Sequence, residues 1–93
     1  MSTTYKPSGD VLASHLDQET VLLHLGMKKY YRLNATAAVI WRSLEQQPSS
    51  EHDLSKRLKA EFEVASQEAE SAVHTHIEEL TARGLIELAK ESR

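Results

Sequence analysis

The sequence predicts an α+β fold in which three short strands precede three helices and a last strand. Apolar residues alternate with a period of two between residues 11 and 33, which is typical of strands with one buried face. From Asn34 onward they recur every three or four residues, the spacing of amphipathic helices. A helix stop at Gly84 then precedes a short apolar segment. The order β-β-β-α-α-α-β predicts a winged helix-turn-helix with an N-terminal three-stranded antiparallel sheet.

The three strands are predicted to form an antiparallel meander because only short polar turns separate them. They cover residues 11–16, 20–25 and 29–33. The turns are Asp17-Gln18-Glu19 and Gly26-Met27-Lys28, the second of which contains a glycine able to adopt positive φ. Since the third strand is the last of the meander, we expect it to be an edge of the sheet.

Each helix has a recognisable start. Asn34 is a predicted N-cap of the first helix, which ends before Pro48. Ser50 and Asp53 are spaced like a capping box for the second helix. Ser66 is the predicted cap of the third helix. The apolar stripes predicted to enter the core are Ala37, Ile40, Trp41 and Leu44 in the first helix, Leu54, Leu58 and Phe62 in the second, and Ala69, Val73, Ile77 and Leu80 in the third.

The 93 residues are expected to form one domain over residues 10–89. Residues 1–9 are expected to be a flexible tail, and residues 90–93 a frayed C-terminus. No apolar run is long enough to span a membrane, and residues 1–10, MSTTYKPSGD, lack the apolar region expected of a signal peptide. The absence of cysteine excludes disulfides and thiol chemistry and fits the reducing cytoplasm.

Charge separates two binding hypotheses. A winged-helix DNA-binding or transcription-related module is the alternative function, and it predicts a basic recognition helix. Residues 66–83, which include the third helix, contain four glutamates and one arginine, a net charge of −3. We therefore expect no nucleic-acid partner. An enzyme is not expected either, because no nucleophile, base and oxyanion-binding group come together in the sequence.

The histidines do not predict a metal site. His74 and His76 are two residues apart, which places them about 200° apart around a helix rather than on one face. His15 and His24 lie on adjacent predicted strands and are possible cross-strand neighbours, but they lack a third ligand. We therefore expect neither a metal nor another cofactor.

Three segments carry a resemblance to a known family. They are YRLNATAAVIWRSL, DLSKRLKAEF and HIEELTARGLIEL, in this order between residues 31 and 88. Together they resemble the PqqD-like family, the precursor-peptide recognition elements of ribosomal peptide pathways, over about residues 11–88. The resemblance implies a non-catalytic domain that binds the leader segment of a precursor peptide. It also implies a partner maturation enzyme, such as the leader protease of lasso-peptide pathways or the radical enzyme of quinone-cofactor pathways.

The resemblance also implies where the leader lies. In the family it adds as a further strand to the third strand and packs into a groove beside the third helix. Main-chain hydrogen bonds then supply affinity, while basic residues on the strand favour an acidic peptide. Because an open edge can also pair with a second copy, both a monomer and an edge-paired dimer are consistent with the sequence. The predicted peptide-binding residues are Lys28, Lys29, Tyr30, Tyr31, Arg32, Leu33, Glu70, His74 and Ile77.

Overall fold

The computed structural model describes residues 3–17 and 19–89. The predicted α+β class and the order of the predicted elements are confirmed. The predicted frayed C-terminus, residues 90–93, lies outside the described residues. The elements are β1 (Tyr5–Pro7), β2 (Val11–Leu16), β3 (Glu19–His24), β4 (Lys29–Leu33), α1 (Ala35–Gln46), α2 (Glu51–Phe62), α3 (Ser66–Ala82) and β5 (Ile86–Leu88).

The main sheet is the predicted antiparallel meander, with strand order β2-β3-β4. Leu22 lies opposite Ala13 on one side and opposite Tyr31 on the other, and it is fully buried. Successive residues of a strand point to opposite faces, so the face of the sheet that carries Leu22 is the inner face, which packs on the helices. Tyr31 and Leu33 lie on that inner face, while Tyr30 and Arg32 lie on the outer face.

A short strand precedes the predicted ones, so the expectation of a tail without regular structure over residues 1–9 is corrected for residues 5–7. In β1, Tyr5 pairs with Leu88 of β5 and exchanges backbone hydrogen bonds of 2.9 and 3.1 Å with Ser49. Pro7 closes the strand where it reaches Ile86. The three-residue strand was missed because it has no visible alternation and its partner lies at the other end of the chain.

The caps of α1 and α2 are confirmed. The Ala37 backbone N–H donates to Asn34 Oδ1 at 2.8 Å. In α2 the Asp53 N–H donates to Ser50 Oγ at 3.1 Å, and the Ser50 N–H donates to Asp53 Oδ2 at 3.2 Å. The hydrogen bond from the Ser50 backbone, followed by that from its side chain, lowers the pKa of Asp53 below its ordinary value.

The predicted cap of α3 is wrong by one residue. Ser66 is the first helical residue, and Ala65 takes the extended cap position without a side-chain hydrogen bond. The C-terminal end agrees with the prediction. Gly84 has a φ of 71°, and its N–H donates to the carbonyl of Thr81 at 3.0 Å. Glycine adopts this left-handed conformation without the steric penalty that a side chain brings.

The core lies between the inner face of the main sheet and the three helices. All apolar stripe residues predicted from the sequence are buried except Phe62, whose surface is 39% exposed because it lies at the end of α2. Trp41 is buried and donates its indole N–H to Glu45 Oε2 at 2.9 Å. The buried apolar residues are Leu22, Leu33, Ala37, Ala38, Ile40, Trp41, Leu44, Leu54, Leu58, Ala69, Val73, Ile77, Leu80, Leu85 and Ile86.

A polar network ties the main sheet to α1. His15 Nε2 lies 3.1 Å from Glu45 Oε1, and His15 Nδ1 lies 3.1 Å from the hydroxyl of the buried Thr20. The proposed cross-strand pairing of His15 with His24 is wrong, because His24 lies opposite Val11 at the other end of the hairpin. These interactions hold the sheet at a fixed position relative to α1 and so fix the position of β4.

Candidate functional site

The main sheet has two edges, β2 and β4, and β4 is an edge strand as predicted. It pairs with β3 on one side, and within the described part of the chain no strand pairs with its other side. A strand in this position presents unpaired backbone N–H and C=O groups. Its five residues lead directly into Asn34, the cap of α1. The free edge is therefore held rigidly against the helices.

The two faces of β4 have different surroundings. Leu33 is 6% exposed and anchors the strand in the core, and Tyr31 is half-buried beside it. On the outer face, the side chain of Tyr30 is 73% exposed. Arg32 forms an ion pair with Glu19 at 3.4 Å. The charge of Arg32 is thus balanced within the sheet, on the face away from the helices.

The two lysines predicted for the site lie at the start of β4. Lys28 has a φ of 56° in the turn and donates its backbone N–H to the carbonyl of His24 at 2.7 Å. Lys29 is exposed and lies opposite His24 in the register. By strand alternation it shares the inner face with Tyr31. The structure thus places Lys28 in the turn and Lys29 on the inner face of β4.

The predicted residues of α3 do not lie beside β4. His74 and Ile77 line a groove of about 480 Å³ between α3, the start of α2, β1 and β5. His74 contacts Glu51 of α2 at 3.3 Å and Glu78 at 3.5 Å. Glu70 is exposed and one turn before His74, on the same side of the helix. Peptide binding by these three residues stays a prediction, and the structure places them on the β5-side flank of α3.

The opposite flank of α3 reaches β4 at its C-terminal end. The guanidinium carbon of Arg83, directly after α3, lies 5.3 Å from the centroid of the Tyr31 ring. Residues three and four apart share one side of a helix, so Glu79, His76 and Ala72 continue this surface toward the start of α3. We call it the β4-side flank. His76 and Ala72 are half-buried there, and Ala72 packs against the core.

Sequence reasoning missed Arg83 although a signal was available. It is the one basic residue among residues 66–83, and it directly precedes the helix-ending Gly84. The periodicity of α3 identifies two flanks on either side of its core stripe. It does not identify which flank lies next to which strand, because that depends on how the sheet packs on the helices.

Other site types have no support in the described residues. Over residues 3–17 and 19–89, no three His, Cys, Asp or Glu side chains lie close enough to hold a metal ion. In the same part of the chain, none of the helices is both long and apolar enough to cross a lipid bilayer.

Comparison with known proteins agrees with this architecture. The profile of the PqqD family, described as coenzyme PQQ synthesis protein D, matches residues 19–86. Among curated proteins, none matches the sequence significantly.

Two solved structures are similar over almost the whole chain. One is described as TbiB1 in complex with the TbiA(beta) leader peptide; it is 28% identical, has a TM-score of 0.81, and the match covers 95% of this chain and 99% of that one. The other is a lasso peptide synthetase B1 complexed with the leader peptide; it is 26% identical, has a TM-score of 0.78, and the match covers 89% of this chain and 96% of that one.

Proposed function

This chain belongs to the PqqD family, and from that premise we propose that it binds the leader segment of a ribosomally made precursor peptide. The leader adds as a strand to the free edge of β4 and packs against the β4-side flank of α3. The domain then presents the peptide to a maturation enzyme, such as a leader protease, in the cytoplasm. The domain itself performs no chemistry.

The observation that carries the proposal is the free edge of β4. A rigid strand with unpaired backbone groups can bind an extended peptide through main-chain hydrogen bonds, and neighbouring side chains then select among sequences. The half-buried Tyr31 and the exposed Tyr30 offer one aromatic contact on each face of the added strand. Two similar structures are complexes with leader peptides, which supports the same mode of binding here.

The geometry also allows an enzyme to reach the peptide. An added strand pairs with β4 through one of its two sides, and its other side stays unpaired. The peptide beyond the bound segment is then free to enter an active site of a partner. This arrangement fits a domain that holds a substrate for another protein.

The DNA-binding alternative is disfavoured by the charge of α3. Its described surface carries Glu68, Glu70, Glu78 and Glu79, and a DNA-reading helix needs basic residues to neutralise phosphates. Arg83 lies beyond the helix and is directed toward Tyr31.

A pair of proline substitutions tests the strand-addition mode. Successive N–H groups of an edge strand point alternately to the neighbouring strand and to solvent. Of the two variants Tyr30→Pro and Tyr31→Pro, one therefore loses an N–H that points to solvent and the other loses an N–H that bonds to β3. We expect the variant that loses the solvent-facing N–H to keep its fold and to bind peptide about tenfold or more weakly. The lost hydrogen bond between neutral groups and the disturbed strand pairing with the peptide together cost roughly 1–2 kcal/mol.

The probe is a fluorescein-labelled peptide selected from a phage-displayed library of random dodecapeptides on the wild-type domain. Fluorescence anisotropy gives the affinity, and circular dichroism reports the fold. Hydrogen exchange on the wild type should gain protection in residues 29–33 when the peptide binds. Sedimentation detects a second copy at the same edge, which the peptide should displace. Equal affinity of both folded variants and the wild type would contradict the proposal.

A further inference from the structure

The C-terminal end of α3 holds an arginine beside the free edge strand. The Arg83 backbone N–H donates to the carbonyl of Glu79 at 3.1 Å, and Gly84 fixes the turn that follows. The guanidinium lies over the ring of Tyr31, 5.3 Å from its centroid. A cation over an aromatic ring is attracted to its face. Tyr31 itself is half-buried against the core, so the ring that the guanidinium contacts is held at the edge of β4.

Among the described residues, no hydrogen bond is formed by the guanidinium of Arg83. Arg32 pairs with Glu19 at 3.4 Å and Arg57 with Glu61 at 3.3 Å, whereas Arg42, on the surface of α1, has no such partner in the described part of the chain. Arg83 has no ion-pair partner among residues 3–17 and 19–89. The contact with the ring uses none of the five N–H donors of the guanidinium as a hydrogen bond to a carboxylate. These donors match the geometry of a carboxylate.

A second cation lies close along the strand. Lys29 is two residues before Tyr31, so both side chains leave the same face of β4, about 7 Å apart at the backbone. Lys29 is exposed and, within the described residues, has no ion-pair partner. Two acidic residues lie nearby. Asp10 precedes β2, its carbonyl accepts from the N–H of Leu25 at 2.8 Å, and its carboxylate lies beside Gly26. Glu79 lies one turn before Arg83 in α3. Neither forms an ion pair with Lys29 or Arg83, so both cations are available to a carboxylate on an added strand.

We propose that Arg83, positioned by Tyr31, forms with Lys29 a subsite for the carboxylate of an aspartate or glutamate side chain on the strand added to β4. The subsite rests on the proposed function and adds a specificity to it. A bidentate arginine–carboxylate pair fixes direction as well as identity. The acidic residue therefore sets the register of the peptide, at the end of β4 nearest the hairpin turn.

Selection from the same phage-displayed dodecapeptide library tests this subsite. The targets are the wild type, Arg83→Glu and the matched control Arg42→Glu, which makes the same charge change on the exposed surface of α1. Peptides selected on the wild type and on Arg42→Glu should share an acidic residue at one fixed distance from their apolar positions. Peptides selected on Arg83→Glu should lose that residue or carry lysine or arginine there.

Anisotropy with one selected peptide and its Glu→Gln or Asp→Asn counterpart then measures the contact. The acidic form should bind the wild type about tenfold more tightly than the amide form, and this ratio should fall to about one on Arg83→Glu. Arg83→Lys, which keeps the charge and loses the planar fork, should give an intermediate ratio.

Different results would overturn the acidic subsite and the proposed function. Selected peptides that bind at β4 but keep the acidic residue on Arg83→Glu, or never contain one, overturn the subsite and leave the proposed function intact. A wild-type domain that selects no peptide overturns both.

Discussion

The two flanks of α3 differ in charge and in the backbone that faces them. The β4-side flank ends in Arg83 and borders a five-residue strand with an unpaired edge. The β5-side flank borders two paired strands of three residues each. Its groove contains the carboxylates of Glu51, Glu78 and Glu87 around His74. A concave surface is therefore insufficient to identify a peptide site. The β5-side groove borders short strands that pair with each other, whereas β4 offers a free main-chain edge of five residues within the described part of the chain.

The largest expected effect concerns Ile77, which separates the two flanks. It is 3% exposed and belongs to the core, although its edge is visible in the β5-side groove. Ile77→Ala should lower the free energy of unfolding by about 2–5 kcal/mol, and Ile77→Val by about 0.5–1.5 kcal/mol, in urea titrations. The folded fraction of Ile77→Val should bind peptide with wild-type affinity. If Ile77→Val lost peptide affinity without a change in the free energy of unfolding, Ile77 would be a peptide-binding residue rather than a core residue.

The next largest effect, on peptide affinity, distinguishes two histidines that are two residues apart. His76 lies on the β4-side flank and His74 on the β5-side flank. A tryptophan at position 76 should occlude the space beside β4 and weaken peptide binding about tenfold, or about 1.4 kcal/mol. His74→Trp should leave the affinity within about twofold of the wild type, since about 0.4 kcal/mol is the scale of a neutral surface change. Anisotropy with the selected peptide measures both.

Thermal unfolding of both histidine variants controls for damage to the fold. The reverse ranking, with His74→Trp as the weaker binder, would exchange the roles of the two flanks and favour the prediction made from the sequence alone.

The smallest effect concerns the cap of α2, which positions Glu51 at the β5-side groove. Ser50→Ala removes one of the two capping hydrogen bonds and should reduce stability by about 1 kcal/mol. Peptide affinity should be unchanged, because Glu51, the residue directly after the cap, contacts His74 on the β5-side flank. If Ser50→Ala weakened peptide binding as much as His76→Trp, a change on the β5-side flank would be transmitted to the β4-side flank.

The same cap gives a defined dependence on pH. Hydrogen bonds from Ser50 lower the pKa of Asp53 in the folded protein. The stabilisation is fully present above the pKa of the unfolded chain, about 3.9, and is lost as the pH falls through the lower folded value. Asp53→Asn should therefore destabilise the protein at neutral pH and make little difference near pH 2, as measured by urea titration at several pH values. Equal destabilisation at all pH values would contradict this cause.

Local features of the fold could be predicted from the sequence. The limits of β2 and β4, the caps at Asn34 and Ser50, and the stop at Gly84 depend on neighbouring residues alone. The core stripe of α3 follows from its periodicity in the same way.

Features that depend on distant contacts could not be predicted. The strand β1 exists because Tyr5 pairs with Leu88 and Ser49, and its three residues carry no pattern of their own. The position of Arg83 over Tyr31 depends on how α3 packs against the sheet. The edge of the site was thus predictable, while the helical residues beside it required the three-dimensional structure.

The pairing of β1 with β5 has a consequence for protein engineering. It brings Tyr5 and Leu88 side by side, so the described polypeptide is almost a closed ring. A short linker between the two ends would complete that ring, and new termini could then be opened in the exposed turn at Gly26 or before Pro48. Opening at Gly26 would separate β4 from β3 in the gene, and opening before Pro48 would separate the β4-α1 unit from α2, while β4 keeps its place in the sheet.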